Sequence, residues 1–285
     1  MKLLNSNKRE IKESKLLTHN AKQWAIKNWH YLTKVDTPLI NVNSSSKIAK
    51  GKKINLLTAI LYLKPANMVS KTTLCPAAEL FGCKKDCLES SGQLGMQTGD
   101  NAKIKRTILY VLRKGEFIET MRQEIEKHQK TAERKKQQFA VRLNGTSDID
   151  FRNFIASMPS TQFYDYCKVY SRVEKNTLPN YDLTFSGSAN NEKTIGITAR
   201  AIKKGLRTVL AMNTAETKGE YKLPNKLGLI PVINMDDTDA RFLDDKSALG
   251  VLARKGSNKD QRALDETRSG FFFNQTTFNQ LGAAL

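Results

Sequence analysis

The stretch FAVRLNGTSD, from Phe139 to Asp148, decides how the chain is read. Phe139, Val141 and Leu143 fall on one face of a strand, and Arg142 and Asn144 fall on the other. The tail Asn144-Gly145-Thr146-Ser147-Asp148 is polar, carries a glycine and ends the strand. The same unit recurs along the chain. Ile54 to Leu63 is a nearly continuous apolar run, as a strand buried on both faces should be. Gln162–Cys167 ends near Lys168, Tyr181–Phe185 ends in Ser186-Gly187-Ser188, and Arg207–Met212 ends in Asn213-Thr214. Ile230–Asn234 runs into Asp236-Asp237-Thr238-Asp239, and Leu249–Arg254 into Lys255-Gly256.

Short apolar strands with polar tails have the rhythm of a βα barrel, whose site is built from the loops that follow the strands. Residues 101–136 are rich in helix formers and break near Lys114-Gly115, which predicts two helices. Residues 214–228 read as a loop, so a full eight-fold barrel is not expected. The expected fold is α/β, a partial (βα) barrel of about six strands, with an open twisted α/β sheet as the alternative.

The chain has 285 residues, with 47 Lys and Arg against 28 Asp and Glu, a net charge of +19. Residues 1–150 hold 28 of the basic and 14 of the acidic residues, so +14 of the +19 lies there. A surplus of this kind favours a polyanion, chiefly DNA or RNA. Residues 1–50 form a basic N-terminal extension, closed by a linker at Asn43–Ser46, and residues 51–285 form the α/β domain. Trp24, Trp29, His30 and Tyr31 in the extension either stack on bases or dock it on the body as a short helix; docking is the favoured reading. No run approaches the roughly 18 apolar residues of a membrane span. Met1–Lys15 lacks an apolar core, so no secretory signal is expected and the host cytoplasm is the expected location.

Three of the four cysteines, Cys75, Cys83 and Cys87, fall in one C-x7-C-x3-C segment. Cys83 and Cys87 are four apart and would share one face of a helix, an awkward geometry for a disulfide. Thiolates are soft ligands, so a metal fits better, and Lys84 and Lys85 would help to keep the thiols ionised. A structural zinc needs a fourth ligand, for which Cys167 is the candidate. A [4Fe–4S] cluster on three thiolates leaves one iron open to a substrate or to S-adenosylmethionine. The cluster is the leading expectation; zinc and no metal are the alternatives.

Several segments carry a family resemblance: Asn55–Ile60 with Leu63-Lys64-Pro65-Ala66, then Cys75-Pro76, Cys83, Cys87-Leu88 and Ser91-Gly92. Arg142–Ile149, Phe163–Tyr166 with Lys168, Leu178–Tyr181, Leu183–Ser186, Asp239–Asp244, Lys255-Gly256 and Ser269–Phe271 extend it. Over about residues 51–273 the chain resembles the phage "gene product 88" family, with residues 1–50 outside the likeness. The resemblance implies a phage origin and no particular activity. The family pattern often has Thr where Cys167 stands, which favours three thiolate ligands over four. The cysteines after a first strand also resemble those of radical S-adenosylmethionine enzymes, although the spacing differs.

On a barrel, the polar tails would converge. Asp165, Lys168, Asn144 and Asp148 are the expected catalytic residues, and Ser186, Asn190, Asn213 and Asp236 are expected to hold the cofactor. The bland reading of Asn144–Asp148 is a turn with a helix cap. Asp236, Asp237, Asp239 and Asp244 form the densest acidic group and could bind Mg²⁺. His19, His30 and His128 all lie outside the strand tails, so a Ser-His-Asp triad lacks material, and no Walker A loop is present. The functional expectation is radical or redox chemistry on a nucleic acid or nucleotide-related substrate. A nucleic-acid-binding protein with a structural metal and a Mg²⁺-dependent nuclease are the alternatives.

Overall fold

All six residues of the run Leu56–Leu61 are buried, as a strand covered on both faces requires. The computed structural model describes residues 8–34, 38–42, 54–84, 87, 96–213, 224–236, 238–253 and 270–285. The linker at Asn43–Ser46, Lys85, Asp237, Thr214 and Lys255-Gly256 lie outside these residues. The chain divides into two compact units, residues 1–76 with 92–163 and residues 77–91 with 164–285.

The first unit begins with three helices, α1 (Lys8–Glu13), α2 (His19–Lys27) and α3 (Trp29–Thr33). Strand β1 (Ile40–Val42) pairs antiparallel with β2 (Leu56–Leu61). Helices α4 (Gln97–Leu112) and α5 (Lys114–Arg134) then lead to β3 (Gln138–Arg142), which runs parallel to β2. Arg113 separates the two helices with φ −136° and ψ 49°, one residue before the expected break. After the short α6 (Arg152–Ala156), β4 (Gln162–Cys167) pairs parallel with β3 through its first residues.

The basic N-terminal segment is part of this core. Ile11, Leu17, Ala21, Ala25 and Leu32 cluster with Val69 and Ile108, and Trp24 Nε1 donates to Asn101 Oδ1 at 3.1 Å. Docking of the tryptophans on the body is therefore what forms. Three cations of α4 also point inward. Lys105 Nζ donates to the carbonyls of Tyr31 and Lys34 at 2.8 and 2.6 Å, and Arg106 donates to Pro38 O and Asn41 Oδ1. Lys103 is 1% exposed and pairs with Asp100. Glu124 of α5 accepts the N–H groups of Leu39 and Ile40 at 2.9 and 2.8 Å, fixing the start of β1.

The second unit continues with α7 (Tyr170–Glu174), β5 (Tyr181–Ser186), α8 (Glu192–Lys203) and β6 (Thr208–Met212). A small antiparallel hairpin follows, β7 (Lys226–Leu227) with β8 (Ile230–Asn234). A 3-10 turn at Arg241–Leu243 precedes β9 (Leu249–Ala253), and α9 (Gln275–Ala283) comes last. Strand β6 runs parallel to β5 and β9, and β9 runs parallel to β8. Asn191 and Asn274 cap α8 and α9 with reciprocal side-chain bonds to Thr194 and Thr277. The core gathers Leu210, Met212, Leu249, Val251, Phe273, Phe278 and Leu281.

Among the described residues, nine strands follow the order β1-β2-β3-β4-β5-β6-β9-β8-β7. The sheet is open, as the alternative expectation had it, and no barrel is seen. From β2 to β6 each strand lies beside the next in the chain, the progression that one-sided right-handed crossovers produce.

Candidate functional site

In the first unit, the loops after β2 and β3 are stitched together. Gly145 N donates to Leu61 O at 3.0 Å, Thr146 Oγ1 to Leu63 O at 2.5 Å, and Asp148 N to Leu74 O at 2.9 Å. A Cβ on Gly145 would stand 2.7 Å from Tyr62 and 2.8 Å from Leu61 O, so only glycine lets the two loops approach this closely. Cys75 follows Leu74 directly. Its half-buried Sγ accepts the N–H of Ala66 at 3.3 Å. Asn144 serves the turn itself: Oδ1 accepts from Ser147 Oγ and Ile149 N, and Nδ2 donates to Ile149 O. The turn reading thus accounts for the Asn144 side chain.

In the second unit, the segment that leads to Cys83 is held at the end of β5. Ser188 Oγ donates to Phe81 O at 2.7 Å, and Asn190 Nδ2 to Leu80 O at 3.0 Å. The ring of Phe81 meets that of Phe185 edge-on at 6.0 Å. The described residues from Pro76 to Lys84 form turns, so the helix expected to align Cys83 with Cys87 is absent there. Both thiols are half-buried, and the described cysteines are unbridged.

Lys168 Nζ donates to Ser186 Oγ at 2.8 Å and lies 4.7 Å from the centre of the Phe271 ring. Lys168 and Ser186 stand at the ends of β4 and β5, so these two candidate residues are in contact. Asp165, fully buried at mid-strand, accepts from Tyr181 OH at 3.2 Å. This bond links β4 to β5. Asn213 donates its backbone N–H to Phe273 O at 2.8 Å.

The described members of the acidic group, Asp236, Asp239 and Asp244, each take part in a structural contact. Asp236 Oδ2 accepts Ala253 N at 2.7 Å, and Asp239 Oδ2 accepts Tyr164 OH at 3.2 Å. Asp244 pairs with the fully buried Arg241 at 3.1 Å, and its carbonyl accepts from Arg207. Burial holds the Asp244 carboxyl above its ordinary range, against the pull of Arg241 and Arg207. Among the described residues, no three His, Cys, Asp or Glu side chains stand close enough to share a metal ion.

Cys167, 1% exposed, lies among structural partners. Its Sγ accepts Val169 N at 3.3 Å and faces Arg172 Nη1 at 3.6 Å. Sequence reasoning missed Ser188, which no motif distinguishes from Ser186, and Phe271, which comes to Lys168 from far along the chain. It also missed the buried pairing of Asp182 with Arg207 at 3.2 Å.

The molecule is thus an α/β protein with an open, largely parallel sheet, its cysteine-bearing segment tied to loops at strand ends. The family model for Gene product 88 matches residues 7–275, and the chain belongs to that phage family. The match takes in most of the N-terminal segment that the sequence likeness had left outside. No curated protein and no solved structure matches the chain. Nothing in these comparisons links it to radical S-adenosylmethionine enzymes.

Proposed function

We propose that this phage protein carries a thiolate-bound metal centre of the iron–sulfur class on the segment Cys75–Cys87. One observation carries the reading. Three unbridged, half-buried cysteines occupy a 13-residue segment that hydrogen bonds at Leu74 and at Phe81 tie to loops at strand ends. Loops at the carboxyl ends of parallel strands are where α/β sheets place their ligands. The donor set is soft and chemically suited to iron or zinc, and because the three thiols do not stand within reach of one shared ion in the structure, binding has to draw the segment together around the metal. Three protein thiolates would leave one iron of a [4Fe–4S] cluster open to a substrate. Lys168 and Ser186 supply a cation and a hydroxyl at neighbouring strand ends for an anionic group on such a substrate.

The test is metal analysis of the full chain purified anaerobically, before and after reconstitution with iron and sulfide. The reading expects bound iron and sulfide with absorbance near ~400 nm, lost when Cys75, Cys83 or Cys87 is changed to Ala. Stoichiometric zinc, or neither metal after reconstitution, would refute it.

A further inference from the structure

The basic surplus of the first unit is not spread evenly over its surface. Lys103, Lys105 and Arg106 of α4 are buried, so they offer nothing to an external partner. The cations of α5 differ. Phe117, Met121, Ile125 and Ala132 form its buried stripe, while Gln123, Lys127, Lys130 and Arg134 follow one another at helical spacing and line a shallow groove. Lys135 and Lys136 continue the run, and all five of these cations are exposed. Glu126 and Glu133 line the same groove as its acidic members, and Glu133 accepts from Gln129. Among the described residues, Lys127, Lys130, Lys135 and Lys136 take part in no ion pair.

We infer that the C-terminal half of α5 is a docking surface for the phosphate backbone of a nucleic acid. From Lys127 to Arg134 the helix rises roughly 10 Å, at about 1.5 Å per residue. One strand of a duplex carries about three phosphates over that axial length. The surface has no aromatic side chain for base stacking, so contact is with the backbone and insensitive to sequence. A membrane surface fits less well. Among the described residues, the exposed large apolar ones are Leu16, Met68, Leu80, Met96, Leu229 and Leu243, none of them on α5. Cations in the last turn also favour the helix dipole, but a dipole role needs only the final turn and no partner.

The test is binding of a mixed-sequence 25-base-pair duplex to the full chain between 50 and 200 mM salt, with single-stranded RNA and phosphatidylserine vesicles as further arms. The expected result is binding of the nucleic acids that weakens steeply with salt. Changing Lys127, Lys130, Lys135 and Lys136 together to Gln should reduce the slope of log K against log salt by about 3–4. The four-fold change to Arg should keep the slope, and changing the exposed Lys12, Lys15, Lys27 and Lys34 to Gln should leave most of it. Three results would overturn the inference: no nucleic-acid binding at 50 mM salt, a slope unchanged by the α5 variant, or binding to vesicles alone. Metal content of the α5 variant should equal that of the parent, so this surface and the metal centre can fail independently.

Discussion

The hydroxyl of Ser188 donates to the carbonyl of Phe81 at 2.7 Å, joining residues 107 positions apart in the chain. Both are buried, so the bond fixes the turn before Cys83 to the loop after β5. Ser188→Ala leaves a buried carbonyl without this donor and should destabilise the second unit by about 1–2 kcal/mol. Urea titration with a fluorescence readout measures it. Limited proteolysis should also show faster cleavage near residues 77–87, and unchanged cleavage there would count against the tie.

Cys167 gives a contrast with the other three cysteines. Its thiol is enclosed with Val169 and Arg172, so Cys167→Ala should lower stability by about 1 kcal/mol through lost packing. Metal retained per chain should stay at the parent value. Loss of metal in Cys167→Ala would make it the fourth ligand.

Glu124 links stability to pH. Burial holds its carboxyl above the ordinary 4.5, outweighing the Ile40 and Leu39 N–H groups and Arg106. A carboxyl with a raised folded pKa binds its proton more tightly in the folded than in the unfolded chain. Its contribution is therefore fully present below about pH 4.5 and is lost as pH rises through the folded value. Comparing unfolding of the parent and Glu124→Gln between pH 4 and 7 should show the parent losing stability relative to the variant as pH rises. Glu124→Ala is a separate matter. It strands two buried backbone N–H groups and should cost about 2–4 kcal/mol at pH 7.

Arg241 has no exposed surface, and Asp244 is its ion-pair partner. Asp244→Ala leaves that guanidinium without its counter-charge and should destabilise the second unit by about 3 kcal/mol. Replacing both residues by apolar ones of similar volume should restore much of the loss, which a double-mutant cycle in thermal unfolding would measure.

Gly145→Ala should destabilise the first unit by about 2 kcal/mol or more. The added methyl meets the Tyr62 and Ile60 side chains and the Leu61 carbonyl at 2.7–2.8 Å, and backbone cannot yield there. Thermal unfolding checks it, with Gly196→Ala, where the added methyl meets open space, as the comparison.

Strands with a strong apolar period were legible in the sequence. Gln162–Cys167 and Ile230–Asn234 have the expected bounds, and five others shift by only one or two residues. Strands β1 and β7 were not foreseen, because three and two residues carry no period. The turn at Cys83 was misread as helix because i, i+4 spacing says nothing about whether the backbone is helical. At the candidate site, residue types were visible but their duties were not. Asn144 and Asp236 each satisfy backbone groups, a role that depends on neighbours fixed only by folding. Buried Lys105 and Arg106 look in sequence like surface charge, since nothing local marks the carbonyls that receive them.

The place of β9 has a consequence for the order of events during synthesis. Along most of the sheet, each strand finds its neighbour already made when it leaves the ribosome. The β7–β8 hairpin does not, because the strand that joins β8 to β6 is β9, which comes after it. Until about residue 253 has emerged, the hairpin and the free edge of β6 both present unpaired backbone to other chains. The step most exposed to misassembly is thus the late insertion of a five-residue strand between two partners that have been waiting for it.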